Sequence, residues 1–322
     1  MEHDRIGTET NSACYLCGKQ GEVLYRNLTD RFFGAPGAWT LRKCKNEECG
    51  VIWLDPRPTL DEIGKAYHRY YTHGQVDLVR QTRTARIGHA ILHAISINLL
   101  GLRRERRRYK CIYLDETPPG RLLEVGCGNG KWLVRMRALG WDVMGQEVDP
   151  AAAEHVHKKK GIPVHLGPLE TIEPDEYDVV ILSHVIEHVH DPVATLTACH
   201  RLLKKNGLLI VLTPNAASYG HGKFGAAWRG LEPPRHLHLF TCHTLNRLAQ
   251  RAGFSGQRCW TTPVNAYGIG LDSPPLTEST NEQQRIVTIR DVVRGFWFQV
   301  SACLVFLLDK NSGEECVLMA SK

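Results

Sequence analysis

The chain lacks several features that would assign it elsewhere. Its first residues, MEHDRIGTETNSACYLC, contain no apolar stretch of the kind a secretory signal needs. The two longest apolar stretches, Ile87 to Leu102 and Gly295 to Leu308, fall short of the roughly 18–20 residues of a membrane span. No internal repeat and no long low-complexity tract interrupts it. A cytoplasmic location is therefore expected, with eleven cysteines kept reduced, and reduced cysteines at short spacings indicate metal before disulfide. A global basic footprint is missing too. The formal charge is +6, but the nine cations from Arg80 to Lys110 against the single Glu105 make that segment +8 and leave −2 for the remainder. Positive charge confined to one segment argues against nucleic acid as the main partner.

With 322 residues there is room for one large domain and a small one. Composition marks off a cysteine-bearing, turn-rich module at 1–60, a helical region at 61–115, and an alternating pattern over 116–322, in which about 264–311 reads as an insertion or C-terminal extension. The break at Thr117-Pro118-Pro119-Gly120 precedes the alternation. Strands are expected at Arg121–Val125, Asp142–Val148, Tyr177–Ser183 and Leu208–Leu212, separated by helices at Lys131–Leu139, Ala151–Lys159 and Pro192–Leu203. Another helix follows at Thr241–Ala252. Strands that read as continuous apolar runs between helices indicate a parallel sheet covered on both faces. Farther on, Gly-Ile-Gly and Ser-Pro-Pro read as a loop, Ile289 to Leu308 as an apolar helix, and Glu314 to Ser321 as a closing edge strand.

The segment Leu122 to Gly130 (LLEVGCGNG) puts glycines where a strand turns sharply into a helix, so that backbone can approach a ligand. Glu147 lies nineteen residues beyond Gly128, placed to accept hydrogen bonds from ribose hydroxyls. The dinucleotide pattern GxGxxG is not met, because Lys131 stands at its third glycine. Together with GQEVDP, YDVVILSHVIEHVHDP and LLKKNGLLIVLTPN, in this order, the segment resembles class I S-adenosylmethionine-dependent methyltransferases, particularly the branch related to ubiquinone-biosynthesis methylases. Asn206 replaces the first glycine of that branch's last signature. The resemblance covers about residues 117–260. It implies an α/β, Rossmann-like, doubly wound sheet of seven strands with one antiparallel. It also implies that Glu124, Gly126, Cys127 and Gly128 line the methionine end of the cofactor, and that Glu147 binds its ribose. Leu169 would lie beside the adenine, and Ser183 and His184 would close the pocket. Pro168, after Gly167, replaces a family aspartate and leaves adenine recognition to Glu170 or to backbone.

Cys14-x2-Cys17 and Cys44-x4-Cys49 form two knuckle-like pairs, each followed by a glycine. Four thiolates suit tetrahedral Zn2+ and leave no open position, so a structural zinc ribbon is expected. The stretch from Cys44 to Pro58 (CKNEECGVIWLDPRP) is similar to the N-terminal module of some bacterial methyltransferases, sugar methyltransferases among them.

On the acceptor side, histidine titrates nearest neutrality and suits a general base. His236 and His238, in the segment Glu232 to Phe240 (EPPRHLHLF), are the candidate catalytic residues, with Arg235 orienting an anionic group; capping a helix or supporting the loop is the alternative for the two histidines. Glu187 and His188 read as loop supports, and His89 and His93 as helix-face residues. The stretch Arg80 to Lys110, with Ile87, Ile91, Ile95 and Leu99 in register, fits three uses. It packs on the core, it lies on an anionic membrane surface as a peripheral contact, or its arginines take a phosphate-bearing substrate. The function expected is methyl transfer to a small-molecule or glycan-precursor acceptor, at oxygen first. Carbon transfer to a sugar nucleotide and a non-catalytic cofactor-binding or partner-binding module are the alternatives.

Overall fold

The computed structural model describes residues 5–67, 79–174, 176–273 and 285–322. The chain opens on β1 (Thr8–Glu9), β2 (Gly21–Leu28), β3 (Trp39–Cys44), β4 (Ile52–Leu54) and β5 (Arg57–Pro58). In β3 the alternation of buried Trp39 and Leu41 with more exposed neighbours is that of a strand with one covered face. β2, β3 and β4 pair antiparallel, and β1 pairs with β5. A 3-10 turn covers Ile63–Tyr67; the helical reading between there and β6 (Val79–Gln81) falls on 68–78, outside the described residues. The helix α1 (Arg83–Leu99) starts at Thr82, whose hydroxyl accepts from the Ala85 amide at 3.1 Å. It bends by 109° through Gly101 into α2 (Arg103–Lys110).

The expected alternation follows as β7 (Arg121–Val125), α3 (Lys131–Ala138), β8 (Asp142–Glu147), α4 (Pro150–Lys160), β9 (Val164–Leu166), β10 (Tyr177–Ser183), α5 (Pro192–Leu202) and β11 (Leu203–Pro214). Then come α6 (Tyr219–Phe224), β12 (His238–Leu239), α7 (Cys242–Arg251), β13 (Ser255–Thr262), α8 (Ala266–Asp272), β14 (Arg285–Val287), α9 (Ile289–Leu308) and β15 (Glu315–Ser321). Seven strands pair in the order β13-β15-β11-β10-β7-β8-β9, with β15 antiparallel to both neighbours. The chain runs outward from β7 to β9 and returns to β10, so the order reverses between β7 and β10. A ligand crevice belongs at the carboxyl ends of the strands at such a switch.

Three expectations need correction. The last strand is not an edge: Cys316 to Leu318 are fully buried because β15 sits between β11 and β13. The edge is β13, whose polar sequence SGQRCWTT carries no strand signal. The Gly-Ile-Gly segment is helical, in α8, because its glycine lets α9 approach: a Cβ on Gly270 would stand 2.4 Å from that of Phe298. Pro274 and Pro275 of the expected loop lie outside the described residues. The apolar stretch ending at Leu308 belongs to a helix of 20 residues, long and apolar enough to cross a membrane, and a third of its most apolar 18 residues is buried.

The N-terminal module is not a free appendage. β12 adds to its sheet, with His238 opposite Trp53 and Leu239 opposite Ile52. Leu16, Val51 and Trp53 share one apolar core with Leu182, Val211 and Phe240.

Candidate active site and metal centre

At the end of β7 the backbone turns through Gly126, Gly128 and Gly130 with φ of 59°, 50° and 66°, a region that side chains disfavour. The turn is tied to the end of β8. Gly126 N–H donates to Gln146 Oε1 at 3.1 Å, and Gly128 N–H donates to Glu147 Oε2 at 2.8 Å. The other oxygen of Glu147 accepts from the amides of Val148 and Asp149 at 2.8 and 3.1 Å. Three backbone donors thus hold this carboxylate in place. Gln146 Nε2 also reaches Gly167 O at 2.7 Å, which fixes the loop after β9.

Beneath the turn Glu124 is 3% exposed, and its Oε2 has no hydrogen-bond partner. Burial first, and the nearby Glu147 charge as well, push its carboxyl well above the usual range, against a backbone hydrogen bond from Leu133. A cationic group placed there would find a ready partner. This orphaned oxygen fits the amino end of S-adenosylmethionine. Cys127 differs: its thiol packs with Leu122, Leu133 and Met136, so only its backbone is available to the crevice. Leu169 begins a 3-10 turn with its side chain in the core and its carbonyl held by Arg201 Nη2 at 2.9 Å, while Glu170 is exposed beside it. Ser183 ends β10, and His184 follows it.

His184 adopts φ 56°, an unusual conformation for a residue with a Cβ and one that clusters at functional sites. Its Nε2 lies 2.9 Å from Glu315 Oε1, and its Nδ1 is held more loosely, 3.4 Å from Glu187 Oε1. The ring is 42% exposed while both carboxylates are buried. Burial alone would lower the His184 pKa; the hydrogen bonds and charges of Glu187 and Glu315 outweigh it and lift the pKa to about 10. Glu315 also accepts from Tyr109 Oη at 3.2 Å and Asn265 Nδ2 at 2.7 Å, joining α2, β10, α8 and β15 around one carboxylate. Glu315 and Tyr109 carry no local sequence motif, and sequence reasoning missed both.

Glu187 is fully buried. Its Oε2 accepts from Thr213 Oγ1 at 2.9 Å, and its carbonyl takes the amides of Leu237 and His238. Burial would raise its pKa, but the His184 hydrogen bond and the charges of His188 and His184 draw it down to about 2. His188 and His236 stand beside it, all three with ligand atoms within 4.8 Å, a set that could also hold a metal ion. Tyr67 Oη meets His188 Nδ1 at 3.0 Å, and His236 Nδ1 meets Gly230 O at 2.8 Å. Burial holds His236 below the ordinary histidine value, against the charges of Glu232 and Glu187.

The two histidines named from sequence are separated. His236 joins the Glu187 cluster, whereas His238 packs edge-on against Tyr15 of the N-terminal module at 4.5 Å. Neither His238 ring nitrogen has a hydrogen-bond partner of ordinary geometry, and burial pushes its pKa down to about 3. Arg235 is fully buried, with Nη2 on Asp30 at 2.8 Å, Nε on Glu232 at 3.1 Å and Nη1 on Ala66 O at 2.8 Å. Its fork is occupied by protein, which makes it a clamp between module and core. Removing one partner of a buried ion pair costs about 3–5 kcal/mol. Arg235→Leu is expected to lower stability by about that amount, read as an earlier denaturant midpoint; a midpoint shift under ~1 kcal/mol would contradict the clamp.

The four cysteines converge. Cys14 and Cys49 sulfurs are 3.6 Å apart, Cys17 and Cys44 sulfurs 3.4 Å, and all four lie within 4.8 Å. Four thiolates at about 2.3 Å from one tetrahedral ion would sit nearly 3.8 Å from each other, so the donor set fits zinc. Gly18 and Gly50 close each knuckle at φ 71° and 63°. All eleven cysteines are free thiols.

A family model described as a methyltransferase domain matches residues 97–257, half of the chain. A ubiquinone biosynthesis O-methyltransferase of one Cereibacter sphaeroides strain is 33% identical over 186 residues, which is 53% of this chain and 71% of that protein. The corresponding protein of another strain of that species is 33% identical over 162 residues, 46% of this chain and 63% of that protein. A solved SAM-dependent methyltransferase from Archaeoglobus fulgidus aligns at TM-score 0.44 and 18% identity, over 73% of this chain and 94% of that one. The glycine turn answered by a backbone-anchored acid, on this sheet order and with this family match, makes the chain a member of the class I S-adenosylmethionine-dependent methyltransferases.

Proposed function

We propose that the chain methylates an oxygen atom of a small-molecule acceptor seated beside His184, and that its N-terminal module is held by one structural zinc. The observation that carries the acceptor reading is the His184 ring, half-exposed at the carboxyl end of β10 and flanked by two buried carboxylates. The names of the curated relatives support oxygen as the accepting atom.

S-adenosylmethionine supplies an electrophilic methyl group on a sulfonium. The chain's own residues do the rest. Glu147 holds the ribose, Glu124 meets the amino group, and the turn from Gly126 to Gly128 presents bare backbone. In-line displacement gains most from alignment, and groups held in register supply much of the rate. His184, charged by Glu187 and Glu315, donates its loosely held Nδ1–H to the acceptor oxygen and favours its ionised form. The released hydroxyl proton passes to solvent at the open side of the ring. Glu187 and Glu315 are positioning residues. His236, expected as a base, acts through Glu187, and His238 serves packing.

His184→Asn is expected to lower kcat by about 100-fold, near the low end for a lost proton-handling group, with cofactor affinity changed less than ~3-fold. The assay is labelled-methyl transfer from S-adenosylmethionine to hydroxylated aromatics and to sugar nucleotides, with the product bond identified. Carbon-linked product, or unchanged turnover in the variant, would overturn the proposal. The charge also has a stability signature. With its pKa raised from 6.5 to about 10, His184 lends stability that is complete below the ordinary value and lost as pH rises through the raised one. The parent should therefore lose melting temperature between pH 7 and 10.5 more steeply than His184→Asn.

A further inference from the structure

Among the described residues, the cations of α2 and the apolar stripe of α1 have no place in the methyl-transfer site, yet they lie next to each other. α1 buries only Ala85 and Ser96. Its Ile87, Ile91, Ile95 and Leu99 recur every fourth residue and stay exposed, Leu99 at 78%. The helix beside it does the same. β6 and β14 pair in parallel, so α1 and α9 leave them side by side, and a Cβ on Gly88 would lie 2.5 Å from Ile289 Cδ1. α9 leaves Val293, Trp297, Leu304 and Leu308 exposed, Trp297 at 61% and Leu308 at 92%. Two neighbouring helices thus each carry an uncovered apolar stripe, and exposed apolar surface of this extent marks an interaction surface.

Charge identifies what covers it. Arg83, Arg86 and Arg290 are exposed where the two helices begin. Past the bend, α2 and α3 wall a groove of about 820 Å³ lined by Arg103, Arg106, Arg107, Lys110 and Arg135, with Asp115 its one acid. Among the described residues Arg107, Lys110 and Arg135 have no ion-pair partner, whereas Asp115 is taken by Arg108. The groove also touches Pro119 and Trp141, at the entry ends of β7 and β8, the end of the sheet opposite the cofactor crevice. It is a separate site. Apolar stripes flanked by arginines match a bilayer interface, where side chains enter the acyl boundary and cations meet phosphates. A protein partner would need acids alternating with apolar groups over the same span; an anionic bilayer presents both layers everywhere.

We propose that the α1–α9 face docks on an anionic phospholipid surface, with headgroup phosphates in the α2–α3 groove. The test is sedimentation of the full chain with vesicles of phosphatidylcholine, alone or with about one-third phosphatidylglycerol. At least ~10-fold more protein should sediment with the anionic vesicles, and about 0.5 M salt should release most of it through screening. The double variant Ile91→Ser with Leu99→Ser, and the triple variant Arg103→Ser, Arg107→Ser, Lys110→Ser, should each lose binding. Both change exposed side chains, so melting temperature and S-adenosylmethionine affinity should stay at parental values. Equal binding to both vesicle types, none to either, or full binding by both variants would overturn the proposal. So would sedimentation velocity showing a dimer that the Ile91–Leu99 variant dissolves without any vesicle binding. Inorganic phosphate bound in the groove by a chain that ignores vesicles would assign it to a soluble anion instead.

Discussion

Glu147→Ala is expected to bind S-adenosylmethionine at least about 100-fold more weakly than the parent chain. A hydrogen bond to a charged group contributes about 1.5–3 kcal/mol, and a carboxylate that meets both ribose hydroxyls makes two. The sum, about 3–6 kcal/mol, corresponds to roughly 10²–10⁴ in affinity. This chain prepares the acid before any ligand arrives: the amides of Gly128, Val148 and Asp149 fix both oxygens. Little ordering remains to be done on binding, which is why the expected loss is large. Glu147→Gln keeps one carbonyl oxygen for those amides but gives up the charge, so it should fall between parent and Ala. Calorimetric titration reads affinity, and the thermal melt of each variant checks that Gly128 has kept its turn. An Ala variant that binds as the parent does would remove Glu147 from the site and leave the crevice assignment without its anchor.

What could be read beforehand follows from how local each signal is. Tyr177 to Ser183 and Arg121 to Val125 were legible as strands because burial on both faces leaves a continuous apolar run. The same logic, applied to Cys316 to Ala320, would have placed β15 inside the sheet, since an edge rarely supports five apolar residues in succession. β13 stayed hidden because its burial is intermediate and its sequence polar. His236 and His238 look equivalent by spacing, but a turn ends between Arg235 and β12, so strand parity does not link them. The network around His184 was the least legible. Tyr67, Tyr109, His184 and Glu315 come from distant segments, with Tyr109 and Glu315 alone 206 residues apart, and only the folded sheet brings them to one edge.

Removing metal from the cysteine centre should disable the catalytic half as well as the module. The parent chain is expected to carry one zinc, by elemental analysis, and Cys17→Ser with Cys44→Ser to carry almost none. Structural zinc contributes on the order of 10–16 kcal/mol of apparent binding free energy in zinc-finger peptides, more than a short three-stranded module can replace. Cys44 ends β3 and Cys49 leads into β4, so both of these strands depend on the knuckles for their start or finish. β4 in turn pairs with β12, two residues after His236, and Tyr15 packs on His238. Loss of the module would therefore expose His238, uncover Trp53 and Val51 from the shared core, and free the loop that sets His236 beside Glu187. Turnover should fall at least about tenfold while the seven-stranded sheet, and with it cofactor binding, persists. Three readings on one sample separate the outcomes: zinc content, calorimetric cofactor affinity and methyl transfer. Full turnover in a zinc-free chain would mean that β12 and its loop hold their place alone, and that the ribbon serves something other than this active site.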